Sequence, residues 1–185
     1  MIVPIDMPET ALILGSAFPV RDEDAYHREA RSAAAAAESA TGGQREMSAA
    51  AGYTEAEFLG LTGSALGGQF GKRFDQFGGD NTRYSNVAAW LTWAAENIEV
   101  TKTAMNHTVS DYHASYDHAT RQAADESWPQ VRLAEKKNDL VHTAQQSIAK
   151  LKAGYELRHD QAQQGIGAGS APPPVRPAAW DSADD

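Results

Sequence analysis

Two histidine–aspartate pairs stand at helical spacing in the middle of the chain, where they could do metal chemistry. His107 precedes Asp111 by four residues, and His113 precedes Asp117 by four. On a helix this spacing places an imidazole and a carboxylate on one face, as zinc and other metals that prefer nitrogen and oxygen ligands require. The pairs are six residues apart, so they point about 120° away from each other. We therefore interpret them as a solvated polar face and expect no metal and no cofactor.

Other side-chain patterns that support catalysis are missing from the sequence. The stretch "GGQFGKRF" contains a Gly-Lys pair, but Leu66 and Arg73 occupy the positions that a phosphate-binding loop gives to a glycine and a hydroxyl residue. There is no nucleophile elbow and no paired-glutamate helix motif. We expect no enzymatic activity, with a metal-dependent helical-bundle enzyme as the weaker alternative. The remaining histidines are isolated: His27, His118, His142 and His159.

Charge and composition exclude several partners. The 185 residues carry 25 acidic and 16 basic side chains, a formal net charge of −9. Nucleic acid and anionic membrane attract Lys and Arg, so neither is expected. Cysteine is absent, which excludes disulfides. The N-terminal stretch lacks a basic n-region, and no window approaches the ~20 apolar residues of a membrane span. If the protein is secreted or in the cell envelope, we expect a non-Sec route, and the alternative is a cytoplasmic location.

The candidate residues must be positioned by secondary-structure elements. The first half of the chain predicts an extended segment over 1–20 followed by two helices. A helix is expected to start near Asp22, where acidic residues favour the positive end of the helix dipole. It should end at Gly42 and Gly43, or resume as far as Gly52. The second helix is predicted over 54–76.

That second helix has a predicted start signal and an unusual glycine content. Thr54 and Glu57 have the spacing of a capping box, in which both side chains satisfy backbone donors. Interior glycines cost about 1 kcal/mol each relative to alanine, so another helix backbone should pack closely against them. A flexible loop is the alternative. The predicted packing stripe consists of Gly60, Ser64, Gly67 and Gly71.

The second half of the chain predicts two long helices. After Asp80, apolar or small residues recur at steps of three and four, the spacing of a packed helical seam, until Pro129 interrupts it. A last helix should end near Gly165. We therefore predict an all-α fold, an elongated bundle over 21–165 built on a long antiparallel helical hairpin. The Pro- and Gly-rich residues 166–185, with a lone Trp180, predict a disordered tail or linker.

The stretch "FDQFGGD" is expected to form the turn of this hairpin. Glycine supplies left-handed backbone at a helix end, and Phe77, Gly78 and Gly79 would form the turn and a recognition surface. The stretch resembles the Trp-x-Gly turn of type VII (ESX) secretion substrates, the superfamily of the WXG and PPE proteins. "AAWLTWAAENIEV" resembles the start of the long helix of PPE proteins, and the resemblance implies that its Trp90 is a recognition residue together with Phe77, Gly78 and Gly79. The later helices follow in the same order over about 20–160.

The resemblance implies a function, although the chain differs from the family's sequence pattern at several positions. Phenylalanine stands at Phe77 where the family has tryptophan, and a Pro-Pro-Glu signature is missing from the N-terminal segment. The family's Tyr-x-x-x-Asp/Glu export signal has one match, Tyr53 to Glu57, ahead of the expected turn. The implied function is a non-catalytic interaction module, either an ESX-secreted protein or the export-directing domain of an effector. Its partner would be a secretion chaperone, another helical protein or a second copy. The alternative is a structural, self-assembling coiled-coil protein of the cytoplasm or a virion.

Overall fold

The computed structural model describes residues 1–57 and 60–174. It contains four α-helices and no strand within those ranges, which confirms the predicted all-α class. The helices are α1 (Thr10–Leu14), α2 (Glu23–Glu57), α3 (Leu61–Asp125) and α4 (Gln130–Ala168). Two compact units form: unit 1 comprises 1–24 and 94–161, and unit 2 comprises 25–93 and the described residues from 162 onward.

Helix α2 begins where the acidic residues predict it and ends at Glu57, beyond both predicted ends. The Asp22 carboxylate accepts a hydrogen bond from the Asp24 backbone N–H (3.0 Å), which satisfies a donor of the first turn. Of the two predicted ends, the one at Gly42 and Gly43 is wrong, because helix formers on both sides carry the helix across these glycines, and the alternative at Gly52 lies five residues before the observed end. The predicted capping box is also wrong. Thr54 lies in the last turn of α2, where its hydroxyl donates to the Ala50 carbonyl (2.8 Å).

The predicted turn at Phe77, Gly78 and Gly79 is wrong, since all three residues lie inside α3 and none has a positive φ. Helix α2 ends at Glu57 and α3 begins at Leu61 instead, and Gly60, directly before α3, has a φ of 101°. That backbone conformation is strained for residues with a Cβ, so Gly60 suits the turn. Two adjacent glycines weaken a helix by about 1 kcal/mol each, and this is too little to end one that is packed on a neighbour.

Helices α2 and α3 form an antiparallel hairpin in unit 2. The Asn81 side-chain amide donates to the Ala37 carbonyl (2.9 Å) and to the Thr41 hydroxyl (2.8 Å). Nearer to the turn, the Gln44 amide donates to the Phe74 carbonyl (3.3 Å). A helical hairpin is therefore present, with its turn about 18 residues earlier than the sequence predicts.

Unit 1 contains the predicted seam from residue 94 onward, whereas its first part, after Asp80, lies in unit 2 and is mostly not buried. Its core combines residues of α3 and α4 with two residues of α1, Ile13 and Leu14. The break at Pro129 is confirmed, since α3 ends at Asp125 and α4 begins at Gln130. The N-terminal segment is not wholly extended, because it includes the five-residue α1. The buried core residues of α3 and α4 are Met105, Val109, Tyr112, Val141, Ala144 and Ile148.

The C-terminal end of α4 lies three residues beyond the predicted Gly165. Gly169 has a φ of 66°, and hydrogen bonds from Gly169 N–H to the Ile166 carbonyl (3.2 Å) and from Ser170 N–H to the Gly165 carbonyl (3.3 Å) close the helix. Residues 170–174 have no regular structure. Trp180 and most of the predicted tail lie outside the described residues. None of the helices in the described ranges has an apolar stretch long enough to cross a membrane.

Candidate interaction surface

The part of the α2–α3 hairpin nearest the turn, residues 41–57 and 60–89, differs from the rest of the helices. We call it the open hairpin. Ala40 and Trp90 are both buried, but between them no residue whose exposure is described is buried. The two helices of the open hairpin thus meet only through half-buried positions, and most of their surface faces solvent.

The sequence of this region explains why it forms no core. Ten of the chain's 15 glycines lie between residues 41 and 89, and a glycine has no side chain to bury. Four basic and five acidic residues give the same stretch a formal charge of −1, although the whole chain carries −9. A surface with so little net charge is compatible with close approach of another protein.

Large apolar side chains nevertheless lie on this surface. Tyr53 is 75% exposed, Leu66 38%, and Phe74 and Tyr84 41% each. Single exposed hydrophobic residues are ordinary in proteins. Four of them lie in a stretch of regular helix without a described buried residue, and we take them as the candidate interaction surface.

The predicted glycine stripe is open. Gly60 lies in the turn rather than on α3, and the Ser64 hydroxyl donates to the Gly60 carbonyl (3.3 Å). A Cβ built at Gly67 or Gly71 would meet no atom within 4 Å. The prediction that this stripe packs on another helix is therefore wrong within the described part of the chain, because the hairpin register directs α2 to other positions of α3.

Residues 77–79, which were predicted to form a turn, instead take part in a close contact between α2 and α3. The Phe77 ring lies against Gly43, where an added Cβ would be 2.8 Å from the ring. At Gly78 an added Cβ would be 2.8 Å from the Gln44 amide nitrogen, whereas Gly79 has open space. Gly43 and Gly78 thus allow the two helices to approach, which is the physical role of the motif that sequence reasoning assigned to a turn.

Trp90, predicted as a recognition residue, supports the end of α4. Its ring is buried against Gly165, and its Nε1–H donates to the Ser170 carbonyl (2.7 Å). The Asn86 amide donates to the Gly169 carbonyl (2.7 Å). These two side chains satisfy carbonyl groups just beyond the last turn of α4. Trp90 therefore offers little surface to a partner.

The histidine–aspartate pairs lie on α3 without converging. His107 and Asp111 are exposed, and His113 Nε2–H donates to the Pro8 carbonyl (2.6 Å). Within residues 1–57 and 60–174, no group of three or more His, Asp or Glu side chains has an arrangement that could hold a metal ion. Of the contacts described for the two pairs, the hydrogen bond from His113 to Pro8 holds the N-terminal segment on α3.

A buried ion pair in unit 1 was missed by sequence reasoning. Lys102 Nζ lies 2.7 Å from Glu23 Oε2 and also donates to the Arg21 carbonyl (2.8 Å), and both charged side chains are buried. Burial alone would raise the pKa of Glu23, but hydrogen bonds from Lys102 and from the Glu23 and Ile2 backbone N–H groups lower it from 4.5 to about 2. Glu23 is one of the acidic residues that favour a helix start, so sequence reasoning explained it as an exposed residue of the first turn. The sequence carried no signal for its pairing with Lys102.

The match to the family's export signal lies at the end of the open hairpin. Tyr53 and Glu57 are four residues apart in the last turns of α2, immediately before the connection, and both are exposed. No family model, no curated protein and no solved structure matches this chain. Its function is therefore inferred from its own residues and their geometry.

Proposed function

We propose that the chain is a non-catalytic helical interaction module whose open hairpin binds a protein partner. The observation that carries this proposal is the lack of any buried residue among the described positions from Thr41 to Ala89. The same positions bear Tyr53, Leu66, Phe74 and Tyr84 as exposed apolar groups.

The energetics of helices support this proposal. Most helical stability in proteins comes from packing of an apolar face, because nucleation is unfavourable and propagation adds little. Ten glycines in the stretch weaken its helices further, by about 1 kcal/mol for each interior position. A partner that covers Leu66, Phe74 and the open stripe at Gly67 and Gly71 would supply the burial that the chain itself does not.

The partner class follows from charge. The open hairpin carries a formal charge of −1 and the chain −9, so a polyanion such as nucleic acid would gain little from binding. An apolar protein surface would gain the free energy of covering exposed Leu, Phe and Tyr side chains, about 25 cal/mol per Å² buried. We therefore infer a protein partner, helical by the resemblance to ESX substrates.

The same resemblance supports export as the biological setting. The proposed chain is an ESX-secreted protein or the export-directing domain of an effector, with Tyr53 and Glu57 as the candidate signal. The break at Pro129 between the last two helices agrees with the resemblance, whereas the aromatic-glycine stretch lies inside α3 instead of at a turn. A secretion chaperone would then be the first partner of the open hairpin.

The experiment replaces two exposed apolar residues of α3 with charge. Leu66→Glu with Phe74→Glu should abolish release into the medium by a type VII-competent actinobacterial strain. It should also abolish co-purification with a chaperone encoded nearby. The matched control is Val131→Glu with Leu157→Glu, at positions that are 68% and 63% exposed on α4.

Both double variants should keep a cooperative thermal melt, because exposed substitutions usually change stability by about 0.5 kcal/mol or less. Normal export of the folded Leu66→Glu, Phe74→Glu variant would refute the proposal. A self-assembling coiled-coil protein would instead sediment as a stable oligomer without any added partner, and the hairpin variant would dissociate it.

A further inference from the structure

A groove opens on the N-terminal segment of unit 1, separate from the open hairpin. It has a volume of about 630 Å³ and is lined only by residues between Pro4 and Phe18. Its floor is apolar, with Leu14 buried and Ile5 and Phe18 half-buried, and Met7 and Leu12 form part of its exposed rim. Clefts of this volume are large enough to take several atoms of a ligand or side chains of a peptide.

The walls of the groove are fixed by main-chain contacts to α3. The Asn106 side chain binds the extended part of the segment at two points. Its oxygen accepts from the Ile5 N–H (3.1 Å), and its amide donates to the Val3 carbonyl (2.9 Å). His113 binds the Pro8 carbonyl in the same manner. These contacts position the backbone of the first wall.

The second wall is fixed to α4. Gln145 donates to the Leu12 carbonyl (3.0 Å), and Lys137 Nζ lies 2.6 Å from Glu9 Oε1. Ile13 and Leu14 are buried in the core of unit 1. A groove whose walls are both held in place is preorganised, so a ligand would not have to order it.

The groove has the surface chemistry of a docking site. Of the twelve exposed large hydrophobic residues among the described positions, five lie in the first 20 residues: Met1, Val3, Met7, Leu12 and Val20. Residues 1–20 contain two acids, Asp6 and Glu9, and no Lys or Arg. Glu9 is paired with Lys137, whereas Asp6 has no hydrogen bond or ion pair within the described part of the chain.

We propose that this groove binds an amphipathic segment of a partner protein, with apolar side chains on the Leu14 floor and a Lys or Arg beside Asp6. Charge complementarity selects a basic segment, because an acidic one would be repelled by the Asp6 carboxylate, which no cation neutralises within the described part of the chain. Leu12 and Met7 would be covered by the bound segment. The proposal is independent of the function assigned to the open hairpin.

The test uses the full chain and a fluorescein-labelled 14-residue peptide of leucine and lysine, with the leucines at steps of three and four so that the peptide is amphipathic as a helix. Fluorescence anisotropy should show saturable binding with one peptide per chain. An equivalent leucine–glutamate peptide should bind at least tenfold more weakly. Equal binding of the two peptides would refute the charge assignment.

Substitutions then locate the binding. Leu12→Asp should weaken peptide binding tenfold or more, and the matched control Leu157→Asp, which exposes the same change on α4, should leave it within twofold. Asp6→Asn should weaken binding several-fold, whereas Glu135→Gln, an equal charge change on exposed α4, should not. Equal losses in target and control variants would show general charge attraction and overturn the proposal.

The proposal for the open hairpin and the proposal for the groove can be refuted independently. Leu66→Glu with Phe74→Glu should leave peptide binding unchanged, and Leu12→Asp should leave chaperone co-purification unchanged. Thermal melts of all variants establish that the protein is folded. Peptide binding lost in the hairpin variant would place the peptide site on the open hairpin and refute the groove.

Discussion

One helix, α3, is packed in two opposite ways along its length. From residue 94 onward it lies in unit 1, where apolar residues at steps of three and four enter a core with α4 and α1. From Leu61 to Ala89 it lies in the open hairpin and has no described buried residue. Both halves are regular helix. Both buried and exposed stretches of this chain therefore form helix. What local burial changes is the stability of each stretch and the apolar surface that it leaves exposed.

The two regions differ in the residues that face their neighbours. In unit 1 these are residues such as Met105, Val109 and Ile148, whose side chains fill space between helices. In the open hairpin Gly43 leaves space for the Phe77 ring and Gly78 for the Gln44 amide, and neither glycine has a side chain that fills a core. A core holds its elements in place, while a hairpin of this kind leaves most of its apolar surface available to a partner.

The contrast predicts its largest effect at the buried ion pair of unit 1. Glu23→Gln would leave the Lys102 ammonium buried without a counter-charge, at a cost of about 3–5 kcal/mol in unfolding free energy. Glu135→Gln, on exposed α4, should cost no more than about 0.5 kcal/mol. Urea denaturation of both variants measures the difference. A loss below about 1 kcal/mol for Glu23→Gln would mean that the pair does not hold the N-terminal segment.

Paired truncations compare the two regions directly. Ile148→Ala removes buried methyl groups from unit 1 and should cost about 2–5 kcal/mol. Leu66→Ala on the open hairpin should cost about 0.5 kcal/mol or less in the isolated protein. Thermal and urea unfolding provide both values. Similar losses at the two positions would contradict the assignment of the hairpin as unburied.

Lowering the pH should reproduce part of the loss in unfolding free energy that Glu23→Gln causes. The pKa of Glu23 is lowered from 4.5 to about 2 in the folded state, so its contribution to stability is complete above pH 4.5. As pH falls from 4.5 towards 2, the unfolded state takes up the proton first and that stability is lost. Denaturant titrations at pH 6, 4 and 3 should show this decrease, and the part caused by Glu23 should be missing in Glu23→Gln.

Two alanine substitutions at glycines should have small effects of opposite sign. Gly79 is helical with open space at its Cβ position, so Gly79→Ala should raise stability by about 0.5–1 kcal/mol. Gly165 lies against the Trp90 ring, and Gly165→Ala should cost about 1–3 kcal/mol through overpacking. Melting temperatures of both variants test this. A destabilising Gly79→Ala would restore the idea that residues 77–79 form a turn.

The sequence by itself determined the helical class, the start of α2 near Asp22, the Pro129 break and the seam that forms the core of unit 1. These features depend on local chemistry: acidic residues at a helix start, the missing N–H of proline, and apolar side chains repeating at the helical period. Each is a property of residues close together in the chain.

Only the tertiary structure decided where the hairpin turns and which glycines matter. Glycine favours both turns and close helix contacts, so the sequence predicted a turn at "FGG" and a helix through Gly60, whereas the register of α2 on α3 places Phe77 against Gly43 and the positive φ at Gly60. The Glu23–Lys102 pair joins residues 79 positions apart, and its burial follows from the path of the N-terminal segment. Long-range pairing leaves no periodic signal in a single sequence, because its energy depends on contacts that local spacing does not encode.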